Sequence, residues 1–188
     1  MGKDTKPEMK KTVVGDFFEG LTAHLFGGEI QNNGRNDSNI GAPDILNWER
    51  NQAYEVKATY RQDVHKISAE QVKHYKELQR AEFPMDNPEV YYFMWNYRNK
   101  KDFKILAHDK MKRPLAKSEK SLMVVSLDII VAGIKVWPTS CFQGQTPYHR
   151  INSETRRKFR KDHVNALADI GLNPDDFSFK RFRLDERK

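Results

Sequence analysis

Cysteine is all but missing from this 188-residue chain: Cys141 stands alone. A lone thiol excludes a disulfide framework, a multi-cysteine zinc site and a cysteine-held iron–sulfur cluster. Cys141 also has no base partner nearby in sequence, so a thiol nucleophile is not expected. No apolar run approaches the ~18 residues that a membrane span needs. The first 11 residues are polar and lysine-rich, without the apolar stretch of a signal peptide. The expectation is a soluble, cytoplasmic protein with no membrane partner. Histidine is sparse too, at six residues. His65, His74, His149 and His163 make no H-x₃₋₅-H pair and no His-Asn-His module. They are expected to be ordinary polar side chains or, at most, phosphate contacts. Internal repeats and low-complexity tracts are absent.

What is present is enough to fold. Only 38% of residues are hydrophobic, but 11 Phe, 7 Tyr and 3 Trp supply bulky core material. A chain of this length buries roughly 70% of its unfolded surface. One domain with a small appendage is the natural organisation. The net charge is +7, and it is unevenly spread. Residues 1–97 carry 12 basic and 15 acidic side chains, whereas residues 98–120 carry nine and three. A polyanionic partner would explain this, with phosphates on the basic side and acids gathered where a metal sits. Ordinary surface solvation leaves a similar pattern.

Apolar spacing predicts a helix over 12–26, ended by Gly27-Gly28, after a disordered lead of 1–11. Residues 29–41 read as loop. Strands over 42–48 and 53–59, joined by a polar turn, make a hairpin. Ser68 with Gln71 is a capping-box pattern, opening a helix that runs to about residue 83. Residues 90–97 are a near-continuous apolar and aromatic run, as in a buried central strand. Further strands are expected over 103–107 and 122–127. Residues 129–136 fit helix or strand. Residues 138–148 read as loop, 154–170 as one basic helix ending at Gly171, and the remainder as a polar tail. Trp48, Trp95 and Trp137 are expected in the core. Helix, hairpin, helix, strand implies an α/β fold around a small sheet.

The chemistry sits in Gly41-Ala42-Pro43-Asp44-Ile45-Leu46 and Tyr54-Glu55-Val56-Lys57-Ala58. Side chains alternate along a strand, so Glu55 and Lys57 share one face. The hairpin sets Asp44 nearly opposite them, within ~5–8 Å. Two facing carboxylates repel unless something positive joins them. Mg²⁺ suits such a place: it is hard, prefers oxygen, and is commonly held by one or two carboxylates with phosphate and water. A bound cation polarises a phosphoryl oxygen and acidifies water, and Lys57 beside it would orient that water or stabilise the transition state. These parts suit phosphodiester hydrolysis. Two basic stretches are candidate phosphate contacts: Lys100, Lys101, Lys104, Lys112 and Arg113, and then Arg156, Arg157 and Arg160. Their contribution would be sequence-independent and salt-sensitive.

Pro43-Asp44 followed by Glu55-Val56-Lys57 resembles the P-D…(D/E)-x-K signature of the PD-(D/E)XK nuclease superfamily. Glu19 lies on the first helix, where the family often places a glutamate. Gln71-Val72-Lys73-His74-Tyr75 is similar to the Gln-x-x-x-Tyr motif of RecB-like members. The resemblance spans about residues 12–97. It implies a restriction-endonuclease-like core, a mixed central β-sheet flanked by helices, here over 12–128. A basic C-terminal extension, 129–188, would pack on the core and contact DNA. It further implies divalent-metal hydrolysis of DNA, with Mg²⁺ as cofactor and Mn²⁺ as a substitute. Asp44 and Glu55 would be metal ligands, Lys57 catalytic, Glu19 a further ligand or water-mediated contact, and Gln71 and Tyr75 supports of the site. The missing cysteines set the chain apart from the iron–sulfur members. A restriction-type or phage-encoded endonuclease, acting as a homodimer, is the leading expectation. A Holliday-junction resolvase and a RecB-like exonuclease are the alternatives within nucleases. An inactive DNA-binding module is the alternative outside them.

Overall fold

Val14, Phe17, Phe18, Leu21 and Leu25 recur at helical spacing, and in a computed structural model of the chain they lie on α1, Lys11–Phe26. The structure describes residues 11–31, 42–60, 65–82, 84–97, 120–133, 136–137 and 147–170. Gly27 and Gly28 stop α1 with φ of 79° and 101°, values that L side chains rarely adopt. A Cβ on Gly28 would also meet Ile45 Cγ2 at 2.7 Å, so the chain can pass this close to the next strand only without a side chain.

Five strands form the central sheet in the order β1 (Glu29–Ile30), β2 (Ile45–Asn47), β3 (Gln52–Tyr60), β5 (Glu89–Tyr97) and β6 (Lys120–Ser126). Neighbours run antiparallel except β3 and β5, which are parallel. A parallel pair needs a crossover. Here it carries β4 (His65–Ser68) and α2 (Ala69–Leu78). After β6 come α3 (Leu127–Gly133), β7 (Val136–Trp137), β8 (Tyr148–Ile151), α4 (Ser153–Lys158) and α5 (Arg160–Asp169). Strands β4, β8 and β7 make a second, small sheet.

Strand alternation splits the core in two. Tyr54, Val56, Tyr91, Phe93, Trp95, Leu122 and Val124 pack with Val14, Phe18 and Phe26 of α1, and with Ala166 and Leu167 of α5 and the adjoining Ile170. Ala53, Val90, Tyr92, Met94, Met123 and Val125 share the other cluster with Val72 and Tyr75 of α2, Leu127 and Ile130 of α3, and Ile67 and Ile151 of the small sheet. Each fully buried large apolar side chain, such as Phe18 or Phe93, contributes roughly 1.5–3 kcal/mol. Two buried polar side chains in the first layer satisfy each other and the backbone: Trp95 Nε1 donates to Thr22 Oγ1 at 2.9 Å, and Thr22 donates to the Phe18 carbonyl at 2.6 Å. The fold class is α/β, a mixed central sheet flanked by helices, as the sequence led one to expect. Among the described residues, no helix is long and apolar enough to cross a membrane.

Several local expectations change. Helix α2 ends at Leu78 rather than near residue 83. Of the stretch 129–136, residues 129–133 belong to α3 and Val136 to β7. The single basic helix is two, broken at Phe159. The reason is packing: Phe159 is buried with the α2 and α3 side chains, whereas Ala166, Leu167 and Ile170 are buried with those of α1, on the far side of the sheet. Trp48 is not core. It sits in the turn between β2 and β3 and stays 49% exposed, while Trp95 is fully buried. Three histidines, His65, His149 and His163, are buried. His163 Nδ1 accepts from the Val124 N–H at 2.8 Å, tying α5 to β6. The strand expected over 103–107, the tail after residue 170, Cys141, and Lys100, Lys101, Lys104, Lys112 and Arg113 lie outside the described residues.

Candidate active site

The β2–β3 hairpin aligns the acidic residues. Its register pairs Ile45 with Tyr54, so Asp44, one residue earlier, comes level with Glu55. Asp44 is anchored from across the hairpin: the Val56 N–H donates to its Oδ2 at 2.7 Å. Among the described residues this is the one hydrogen bond to its carboxylate, which leaves lone pairs on a group half withdrawn from water. Burial, then the charge of Glu55, push the Asp44 carboxyl well above its ordinary range, against the pull of Lys57 and the Val56 N–H.

Glu55 is buried and heavily held. Its Oε1 accepts from Lys57 Nζ and, at 2.7 Å, from Gln71 Nε2. Its Oε2 accepts from the Tyr75 hydroxyl. Gln71 Nε2 lies 3.4 Å from the same hydroxyl, and that hydroxyl lies 3.3 Å from the Ala42 carbonyl oxygen. Glutamine and tyrosine four residues apart on α2 thus act as one clamp on a single carboxylate. Ser68 explains how α2 is set. Its Oγ accepts from the Gln71 N–H at 3.4 Å, but the Gln71 side chain turns to Glu55 instead of back to the cap. Only half of the expected capping box forms, because the other half is engaged at the site.

Lys57 keeps 31% of its side chain exposed. Burial pulls its pKa down, but the charges of Glu55 and Asp44 outweigh this and raise it, so the ammonium stays charged. Tyr75 is raised well above the usual phenol range by burial, then by the charge of Glu55, and then by the hydrogen bond it gives that carboxylate. Glu19 on α1 is also raised, by burial and then by Asp16 and Glu55, with Lys57 opposing. It feels these charges without a hydrogen bond to Asp44 or Glu55. Among the described residues, no group of three or more His, Cys, Asp and Glu gathers as a metal site. The structure therefore draws Asp44, Glu55, Lys57, Gln71 and Tyr75 together and leaves Glu19 at their margin. Arg157 is exposed on α4, and Arg156 and Arg160 lie on α4 and α5, away from this cluster in the chain.

The donor set fits a hard divalent cation. Two carboxylates on one face, one of them short of partners and disfavoured as an anion, lack positive charge that Lys57 alone does not supply. One site residue escaped sequence reasoning. Tyr92, opposite Glu55 on β5, is hidden inside an apolar strand run. Its only sequence signal is register, visible once β3 and β5 are paired.

The metal-free protein should show this charge imbalance in its pH dependence. A carboxyl whose folded pKa lies above its unfolded one takes up a proton on folding, so stability falls as pH rises through that window. Asp44 and Glu19 both have this sign. In EDTA, the urea midpoint is expected to rise as pH drops through the raised Asp44 value toward the ordinary carboxyl range, and Asp44→Asn should flatten the rise. A midpoint that falls steadily over the same range would contradict the assignment.

The site thus sets a clamped glutamate, a facing aspartate and a lysine on one sheet face. No protein-family model matches the chain, and a search of curated proteins finds no match. Among solved structures, the chain is similar to Hjc, a Holliday junction resolvase from the archaeal hyperthermophile Archaeoglobus fulgidus, at 11% sequence identity and a TM-score of 0.40. The likeness covers 77% of this chain and 87% of that one.

Proposed function

We propose that the chain is a divalent-metal-dependent DNA endonuclease of the PD-(D/E)XK type. The observation that carries this reading is Asp44 facing the clamped Glu55, with Lys57 at the open side of the pair. Asp44 and Glu55 would hold Mg²⁺ or Mn²⁺, and Glu19 would reach it through water. When bound, the cation supplies Lewis-acid polarisation of a phosphoryl oxygen and a lowered pKa for the attacking water.

The chain's own residues do the rest. Gln71 and Tyr75 fix the orientation of the Glu55 carboxylate, so the site is organised before substrate arrives. Lys57, part exposed and firmly charged, sets a positive charge where the phosphoryl oxygens become more negative. Asp44, held by the Val56 N–H, faces it across the site. Lys100, Lys101, Lys104, Lys112, Arg113, Arg156, Arg157 and Arg160 would neutralise backbone phosphates and make binding steeply salt-dependent. Cutting both strands of a duplex calls for two such sites, and hence a symmetric homodimer.

Restriction-type cleavage, junction resolution and exonuclease action share this chemistry and differ in the DNA presented. The test is one panel: supercoiled plasmid, a four-way junction (the substrate named for the resolvase above) and end-labelled linear duplex, each in Mg²⁺, Mn²⁺ or EDTA. The expected result is internal cleavage of plasmid or junction with metal and none in EDTA. Discrete plasmid fragments would identify restriction-type cutting, and paired symmetric nicks would identify resolution. A ladder from the ends would make the protein an exonuclease. Binding of all three without any hydrolysis would make it an inactive DNA-binding module.

A further inference from the structure

Tyr92 stands directly beside Glu55, on the parallel neighbour strand. Side chains at matched positions of adjacent strands leave the sheet on the same face, so Tyr92 shares the face of Glu55 and Lys57. It is fully buried. Its ring lies 5.9 Å from that of Tyr75, inclined at 53°, and Tyr75 in turn donates its hydroxyl to Glu55. Yet among the described residues the Tyr92 hydroxyl has no hydrogen-bond partner. The other buried tyrosines differ. Tyr54 accepts from Asn47 at 3.1 Å and donates to Gln52 at 2.9 Å, Tyr91 donates to Glu89 at 2.9 Å, and Tyr75 is held by three groups.

A buried phenol without a partner carries its full desolvation cost, and a phenylalanine would fill the same space without it. Burial, then the charges of Glu55 and Asp44, raise its pKa far beyond neutrality, so the group remains an O–H donor at working pH. An O–H in the field of two carboxylates, bonded to neither, is placed to serve a third oxygen. We propose that the Tyr92 hydroxyl donates a hydrogen bond to an oxygen in the ligand shell of a divalent cation held by Asp44 and Glu55, either a bound water or a phosphate oxygen. The inference rests on the metal-dependent reading above. It makes Tyr92 a positioning residue for the ligand shell, outside the carboxylate and lysine set.

The test is Tyr92→Phe, which deletes one oxygen, with wild type and Asp44→Asn beside it. Three quantities are read: the melting temperature in EDTA, Mn²⁺ affinity by calorimetry without DNA, and single-turnover cleavage of the panel's best substrate. Tyr92→Phe is expected to melt at or a few degrees above wild type, because it loses an unsatisfied buried group. It should also lose about tenfold in Mn²⁺ affinity or in cleavage rate, as outer-shell partners do. A loss of Mn²⁺ affinity without DNA identifies the oxygen as a bound water. A loss that appears only with DNA identifies a phosphate oxygen. Unchanged affinity and rate would overturn the proposal while leaving the metal site standing, and so would a melting temperature well below wild type. Wild-type protein that neither binds Mn²⁺ nor cuts DNA would bring down the underlying reading, and Tyr92 with it.

Discussion

Asp44→Asn is expected to abolish metal-dependent cleavage and, in the same protein, to stabilise the metal-free fold. The amide keeps the shape of the side chain and can still accept from the Val56 N–H. What it loses is the charge that burial and Glu55 oppose. Relief of that repulsion raises the urea midpoint in EDTA, whereas the cation loses a ligand. The expected loss of rate is at least ~10²–10³-fold, the order found when one preorganised charge-stabilising group is removed. Lys57→Ala should lose a similar factor but move stability the other way, because it strips the ammonium from a buried glutamate. Two inactive variants with opposite stability changes are a signature that a merely solvated hairpin face would not give. Parallel plasmid-cleavage and urea titrations of both variants read it directly. Full activity in either would end the catalytic account.

Glu55→Ala is expected to be among the most destabilising single changes in the chain. The carboxylate is the common acceptor for Lys57, Gln71 and Tyr75. Its removal leaves a half-buried ammonium, an amide and a buried phenol facing one another. Breaking a buried pair in this way costs about 3–5 kcal/mol, which for a chain of this size lowers the melting temperature by roughly 6–20 °C. Glu55→Gln should fall between the two, since an amide oxygen still accepts from Tyr75 but offers Lys57 no charge. Melting of both variants in EDTA tests this. Loss of less than about 1 kcal/mol in Glu55→Ala would mean the cluster is a surface ion pair.

Much of this site was legible before any coordinates because it depends on short-range geometry. Two strands and a tight turn set the register, and alternation puts Glu55 and Lys57 on one face opposite Asp44. Gln71 and Tyr75 share a helix face for an equally local reason. What stayed hidden depends on contacts between distant segments. Tyr92 reads as one more aromatic in a buried strand, and only the parallel pairing of β3 with β5 sets it beside Glu55. Strand β4 has four residues, too few for its alternation to stand out, and it pairs with β8, some 80 positions later. The break at Phe159 follows from the two core layers that its flanks serve. His163 reads as polar until the Val124 N–H is seen to need an acceptor. Trp48 reads as core by type, but the turn carries it outward.

The most direct measurement is an anomalous-difference map from crystals grown with Mn²⁺. A manganese peak bound by Asp44 and Glu55, and missing from Asp44→Asn crystals, is what the account predicts. Well-occupied manganese bound only elsewhere, with the Asp44 and Glu55 carboxylates ordered and bare, would contradict it.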